Sequence, residues 1–205
     1  MNDSLPQITV SYDESIPAEI GVGFRNAVDD QGLHVRVESR PARGPQSGVE
    51  LLLSTAVFVL LARSYFDAFL KEAGKDHYHL LKSGMSWLWR TLLSRERKVN
   101  PRRVTTGGKI LKGDYSFALS VVAEAAGSVQ FKLLIQDSLT EEQFHDVIVA
   151  FLDFVAAYDA NQLGASLAEE ICEGRVVGRP TLIAYDEQAG GLRVVDPKRR
   201  SDKRT

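Results

Sequence analysis

The first forty residues change twice between two kinds of hydrophobic pattern. In QITVSYD (residues 7–13) apolar side chains occupy alternate positions, which is typical of a strand with one buried face. AEIGVGFRNAVDDQGL then spaces its apolar residues as one helical face and ends at Gly32, in the position of a C-cap. LHVRVES (residues 33–39) alternates again. Because a helix between two strands is the usual crossover of a parallel pair, the pattern predicts a parallel strand–helix–strand unit.

An apolar run follows the Pro- and Gly-rich loop at residues 40–48. TAVFVLLA (residues 55–62) fits either a buried strand or a helical segment, and periodicity alone does not separate them. Its Val and Phe content favours a strand near residues 56–61. The surrounding stretch, residues 48–70, is long enough to span a bilayer, but its uncharged part covers only residues 51–62. We therefore expect no membrane span.

A long amphipathic helix is predicted over residues 65–93. Its apolar residues form one stripe wide enough to face a core, and His77 lies inside that stripe, so we interpret it as a packed core residue. Four polar residues lie together on one flank: Glu72, Asp76, His79 and Ser83. They could hold a divalent cation. Lys75 is spaced to pair with Glu72, however, and a solvated flank of i,i+3 and i,i+4 contacts is the favoured interpretation.

The second half of the chain predicts further strands and helices. YSFALSVVAEAAGSVQFKLLIQD indicates two strands about a turn at residues 126–128, and we expect these later strands to be antiparallel. TEEQFHDVIVAFLDFVAAY is a helix with Thr140 and Gln143 spaced as a capping box. A short helix over residues 165–173 follows. PTLIAYDEQAGGLRVVD closes the fold as a hairpin that turns near Gly190.

These elements predict a fold between α/β and α+β. It has a mixed sheet with an N-terminal strand–helix–strand unit, a long amphipathic helix and a C-terminal antiparallel hairpin. We expect one domain over residues 1–195 and a basic, disordered tail over residues 196–205. A chain of 205 residues is long enough to hold a core without disulfides or metal.

Cysteine content and the N-terminus bear on the compartment. Cys172 is the only cysteine, which excludes an internal disulfide and a zinc ribbon. Its acidic neighbours disfavour the thiolate and therefore a reactive cysteine. MNDSLPQITV has no basic region followed by an apolar run, so no signal peptide is expected. These features favour a cytoplasmic protein.

Charge is segregated along the chain, although the formal net charge is only −2. Residues 94–113 and the tail are basic, whereas acidic residues gather in 137–173, and basic clusters attract anionic partners. The candidate binding residues are Arg102, Arg103, Lys109, Lys112, Lys198, Arg199 and Arg200. Aromatic residues are not interleaved with these charges. A protein partner with an acidic surface, or self-association, is therefore favoured over nucleic acid.

Sequence motifs for specific chemistry are missing. The chain has no zinc-protease His-Glu pattern, no phosphate-binding loop and no nucleophile elbow, and GVG (residues 21–23) lacks the third glycine of a dinucleotide fingerprint. His34 and His145 have no evident partners nearby, although a Ser-His-Asp arrangement could assemble from distant residues. The first hypothesis is therefore a non-catalytic binding or adaptor protein without a cofactor.

Residues 8–78 resemble the first half of a Toll/interleukin-receptor (TIR) domain. ITVSYDES resembles the opening strand of that family, FRNAVDDQGLHVRVESRP its first helix and second strand, and TAVFVLLARSYFDAFLKE its third strand and the segment leading to a glutamate. That glutamate acts in NAD cleavage in enzymatic members, and the resemblance implies Glu72 in this role, with Tyr65 in the segment before it. The tryptophan that usually precedes the glutamate is missing. The second hypothesis is a TIR-like NAD-cleaving enzyme, or a signalling domain, of a bacterial conflict or defence system.

Overall fold

The structure is a computed structural model that describes residues 5–28, 33–41, 55–69, 74–97, 99, 101, 114–174 and 179–196. Its strands are β1 (Ile8–Asp13), β2 (Val35–Arg40), β3 (Val57–Leu61), β4 (Tyr115–Ala125), β5 (Val129–Gln136), β6 (Thr181–Asp186) and β7 (Gly191–Val194). Its helices are α1 (Glu19–Val28), α2 (Arg63–Phe69), α3 (Gly74–Leu92), α4 (Glu141–Asp159) and α5 (Ala165–Gly174). The strands form one mixed sheet in the order β2-β1-β3-β4-β5-β6-β7, which confirms the predicted fold class.

The N-terminal strand–helix–strand unit is as predicted. β1 and β2 are parallel, with Ile8 opposite Val35 and Asp13 opposite Arg40. Helix α1 connects them and buries Phe24 on the sheet side. The predicted C-cap, Gly32, lies outside the described residues. Among the described strands, β2 is the outermost on this side of the sheet.

The apolar run after the first loop forms the strand β3, which confirms the favoured interpretation. β3 is antiparallel to β1 and parallel to β4. The start of β3 lies close to the end of β2, because the Arg40 guanidinium at the end of β2 donates a hydrogen bond to the carbonyl of Thr55. β3 therefore starts at the edge of the sheet where β2 ends, and it runs back in the opposite direction.

The later strands were predicted to be antiparallel, which is right for two pairs and wrong for one. β4 and β5 form a hairpin through a 3-10 turn at Ala126–Ser128, in which Gly127 has a φ of 68° that suits glycine. β6 and β7 form the predicted terminal hairpin. β5 and β6 are parallel because α4 and α5 cross over between them. The prediction overlooked this second crossover.

Helices α1, α3 and α4 pack on one face of the sheet and form the main core with it. Close approach of α1 and α3 depends on glycine: a Cβ at Gly84 would meet the side chains of Phe24 and Val28, and one at Gly23 would meet Trp87. The predicted stripe on α3 is confirmed at Leu81 and Leu88, which are buried. The side chain of His77 lies outside the described residues.

The predicted long helix is described in two parts, α2 and α3, and the residues between them lie outside the description. Helix α4 begins with the predicted capping box, in which Thr140 Oγ1 accepts from the Gln143 amide at 3.2 Å and Gln143 Oε1 accepts from the Thr140 amide at 2.9 Å. In the described part of the chain, no helix is sufficiently long and apolar to cross a membrane.

Candidate functional site

The carboxyl ends of β1, β2, β5 and β6 lie along one border of the sheet, across the strand direction, which we call the carboxyl edge. These strands point the same way, and β3, β4 and β7 begin at this edge because they run in the opposite direction. The edge is polar, and four of its residues end strands: Asp13, Arg40, Gln136 and Asp186. Loops at such edges carry many binding and catalytic residues, because a rigid sheet positions them.

At one end of this edge, Arg40 joins three strands. Its Nε lies 2.8 Å from Asp13 Oδ1, and both side chains are only 17% exposed. The guanidinium carbon lies 4.7 Å from the centroid of the Phe58 ring, which is cation–π range. The Thr55 hydroxyl lies 2.7 Å from Ser120 Oγ. The guanidinium contacts hold the ends of β1 and β2 to the start of β3, which is a structural role.

A groove opens further along the carboxyl edge, between the end of α3 and the start of α4, next to the end of β5. Its volume is about 870 Å³, within the usual range of ligand-binding clefts. Both tryptophans of the chain line it, together with the buried Leu93. The charged residues of its lining are Arg90, Arg95, Glu96, Asp137 and Glu141. The groove therefore combines an aromatic wall with charged groups of both signs.

The two tryptophans are held in place by hydrogen bonds to main-chain carbonyls. Trp87 Nε1 donates to the carbonyl of Ile20 at 3.2 Å, and Trp89 Nε1 donates to the carbonyl of Leu139 at 3.3 Å. Both rings are half-buried. Because each indole N–H is already satisfied, the rings offer apolar surface to the groove and not a hydrogen-bond donor.

The described residues on either side of the basic segment, residues 102–113, contact the groove lining or its immediate neighbour. Before it, the Val99 amide donates to the carbonyl of Thr91, a groove residue, at 3.4 Å. After it, Tyr115 pairs with Gln136, which directly precedes the groove residue Asp137. The described residues on either side of the basic segment are therefore bonded close to the groove lining.

Arg90 and Glu141 form the charged rim where the two helices meet. Arg90 Nη2 lies 3.0 Å from Glu141 Oε1. Burial alone would raise the pKa of Glu141, but interactions with Arg90, Ser86 and His145 outweigh it and hold that pKa below its ordinary value. The carboxylate is therefore kept charged beside the groove.

Next to this rim, Ser86 Oγ lies 2.8 Å from His145 Nε2, a contact between α3 and α4. Burial lowers the pKa of His145, and the positive charge of Lys82 lowers it further, while Glu141 and Asp146 oppose the change. A serine-protease-type triad needs a carboxylate hydrogen-bonded to the second imidazole nitrogen. Among the described residues, Ser86 is the only hydrogen-bonding partner of the His145 side chain. We interpret the pair as a polar contact between helices.

The lowered pKa of His145 makes stability depend on pH. Between about pH 7 and pH 5 the unfolded chain takes up a proton at His145 more readily than the folded chain, so the free energy of unfolding falls as the pH falls. We expect His145→Gln to reduce this fall while keeping a hydrogen-bonding partner for Ser86. Urea unfolding at the two pH values measures it. An unchanged pH dependence in the variant would contradict the assignment.

The residues implied by the TIR resemblance are described only in part. Tyr65 is fully buried, its ring packs edge-on against Phe66, and burial raises its pKa. Direct contact between Tyr65 and a ligand would require the core to open. Glu72 lies outside the described residues, so its role in NAD cleavage stays a prediction.

The remaining candidates fall in two groups. All seven candidate binding residues of the basic segment and tail lie outside the described residues. On the helix flank considered for a cation, His79 is exposed and its carbonyl accepts a hydrogen bond from Ser83 Oγ at 3.2 Å, while the side chain of Asp76 is not described. Within the described ranges, no group of three His, Cys, Asp or Glu residues is placed to hold a metal ion. Cys172 is exposed.

Comparisons with protein-family models, curated proteins and solved structures found no match to this chain. The site must therefore be interpreted from its own geometry. Sequence reasoning did not predict the groove, because it is formed by the end of α3 and the start of α4, which are far apart in the chain. The pairing of Asp13 with Arg40 could have been predicted from the sequence, because these residues end the two strands of the predicted parallel pair and the carboxyl ends of such a pair lie side by side.

Proposed function

We propose that the protein is a non-catalytic binding or adaptor protein that holds an acidic segment of another protein in the groove. The observation that carries this proposal is the attachment of both flanks of the basic segment beside the groove, at Thr91 and Gln136. We assign the cations of this segment, Arg102, Arg103, Lys109 and Lys112, to the proposed binding surface together with the aromatic wall of the groove. The proposed partner supplies carboxylates for the cations and an apolar side chain for the wall.

The residue types at the groove support a protein partner. Tryptophan and arginine are enriched among the residues that carry most of the binding energy in protein–protein interfaces. Complementary charge around such a centre raises the rate of association and selects the partner. Arg95 lies in the groove lining and is exposed, so it offers one positive charge to an acidic segment in a lining that also holds Glu96, Asp137 and Glu141.

The two tryptophans give a direct assay, because both line the groove and the chain has no others. The probe is a synthetic peptide of about fifteen residues, mostly Asp and Glu, with one central Leu. We expect titration to change the tryptophan fluorescence and to saturate, with an affinity that falls as salt is added. A peptide with Lys in place of the acidic residues should cause no saturable change.

Charge reversal tests whether the basic segment itself, and not the overall charge of the protein, is responsible for peptide binding. We expect Arg102→Glu combined with Arg103→Glu to weaken peptide binding by about tenfold or more, because attraction becomes repulsion near the site. Arg25→Glu combined with Lys82→Glu changes the same amount of charge at exposed positions outside the groove lining and should have a much smaller effect. Equal losses in the two variants would contradict specific binding at the groove.

The NAD-cleaving alternative is tested on the same preparation. Consumption of NAD that rises with protein concentration and is lost in Glu72→Ala would replace the binding proposal with the TIR-like one. Under the binding proposal, NAD is unchanged at every concentration and Glu72→Ala binds the acidic peptide as the wild type does.

A further inference from the structure

Among the described strands, β2 is outermost and only β1 pairs with it. Its backbone groups alternate in direction: the carbonyl of His34 accepts from the Ile8 amide at 3.2 Å, and that of Arg40 accepts from the Glu14 amide at 2.9 Å. The even-numbered residues of this stretch therefore direct their N–H and C=O groups toward β1. Val35, Val37 and Ser39 direct theirs away from the sheet, where the described residues place no strand beside them.

The charges on β2 are self-complementary about Val37. Arg36 and Glu38 lie on the same face of the strand, with Arg36 Nε 3.3 Å from Glu38 Oε2, and their side chains are 64% and 41% exposed. If a second copy of β2 pairs antiparallel with a two-fold axis at Val37, each Arg36 lies opposite Glu38 of the partner subunit. A parallel pairing in register would instead place like charges opposite each other, which is destabilising.

The backbone directions fit the same arrangement. In an antiparallel pair, residues whose N–H and C=O groups point at the partner form the hydrogen-bonded positions, and the residues between them form the closer, non-hydrogen-bonded positions. Val37 would bond to Val37 of the partner subunit, and Val35 to Ser39 of the partner subunit. Arg36 and Glu38 would then occupy the closer positions, where opposite charges interact most directly.

From these observations we propose that two copies of the chain associate through β2, joining their sheets into one continuous sheet across a two-fold axis. The other outer strand, β7, is only four residues long and carries a single charged residue, Arg193, which lies 3.4 Å from Asp186 of its own chain. It lacks the self-complementary pattern. None of the β2 residues lines the groove, and the association does not depend on the proposed binding function.

Sedimentation equilibrium of the full-length chain tests the proposal. Because the interface is one strand pair, we expect a transient dimer that forms on the order of ten to a hundred micromolar. Arg36→Glu and Glu38→Arg each place like charges opposite across the axis, and each should weaken dimerisation by about tenfold or more. Arg36 is exposed and Glu38 is partly exposed, so the variants should keep the wild-type circular dichroism spectrum.

Mixing the two variants provides the decisive control. An Arg36→Glu chain is acidic at both positions and a Glu38→Arg chain is basic at both, so an equimolar mixture should form heterodimers although neither variant forms homodimers. The double variant Arg36→Glu/Glu38→Arg restores the complementary pattern and should dimerise like the wild type. A rescue of this kind cannot result from loss of folding.

Hydrogen exchange gives a readout at the strand itself. Amides of Val35, Val37 and Ser39 should exchange more slowly at about 500 µM than at about 5 µM, at which the dimer dissociates. A wild-type chain that stays monomeric to about 500 µM overturns the proposal, as does a dimer that both single variants leave intact. Peptide binding at the groove is measured separately and should be unchanged in Arg36→Glu, so the two proposals can fail independently.

Discussion

Replacing Phe131 by alanine should lower the free energy of unfolding by about 3–5 kcal/mol, the usual range for a large aromatic residue in a core. Phe131 lies on β5, which has a neighbouring strand on each side, and is fully buried. Its ring makes edge-to-face contacts with Phe154 and Tyr158 of α4, each with ring centroids 4.9 Å apart. The substitution removes both aromatic contacts and leaves a cavity between sheet and helix.

Urea unfolding followed by circular dichroism measures this loss. Gln130→Ala is the matched control, because Gln130 is the preceding residue on the same strand and is exposed. It should change stability by less than about 0.5 kcal/mol. A loss below about 1 kcal/mol for Phe131→Ala would mean that α4 does not pack on β5 as described. Since natural domains are stable by only about 5–15 kcal/mol, the variant should remain folded but be easily denatured.

Gly84→Ala should destabilise the protein by about 2–3 kcal/mol, although alanine favours helix by about 1 kcal/mol over glycine. A methyl group at this position would meet Val28 Cγ2 and the ring of Phe24. Both neighbours are fully buried, so neither can move aside without disturbing the core. The helices α1 and α3 must then separate, and the loss of packing outweighs the gain in helix propensity.

Ser83→Ala is the matched control for this substitution. Ser83 precedes Gly84 on the same helix but is exposed, and its hydroxyl bonds only to the carbonyl of His79 one turn earlier. Alanine there should leave stability unchanged or slightly raised. If Gly84→Ala were also stabilising, α1 and α3 would not be in close contact at this position.

Local patterns predicted those parts of the fold whose causes lie within a short stretch of chain. The capping box at Thr140 and Gln143 is spaced three residues apart, and it starts α4 as predicted. The alternating patterns of β1 and β2 are separated by a helical pattern. A connection of that length suits a crossover between parallel strands and not the short turn of a hairpin, so the parallel unit was predicted correctly. The turn at Ala126–Ser128 lies where the β4 and β5 patterns meet.

Sheet order and direction were harder to predict where they depend on contacts between distant residues. β3 lies between β1 and β4 and runs antiparallel to β1, and no pattern within the apolar run 55–62 indicates either fact. The same holds for β5 and β6, which are parallel. Strand direction is set by the edge at which each connection returns, and that depends on the packing of helices on the sheet.

The sequence by itself determined the types of the clearly periodic elements, their main buried faces, the mixed α/β class and the segregation of charge, whereas it only favoured a strand over residues 56–61. These follow from the spacing of apolar and charged side chains along the chain. Only the tertiary structure decided that His145 meets Ser86, that both tryptophans line one groove, and that β2 is an outer strand among those described. Such features depend on which distant surfaces pack together, and the spacing of residues along the chain does not specify those long-range contacts.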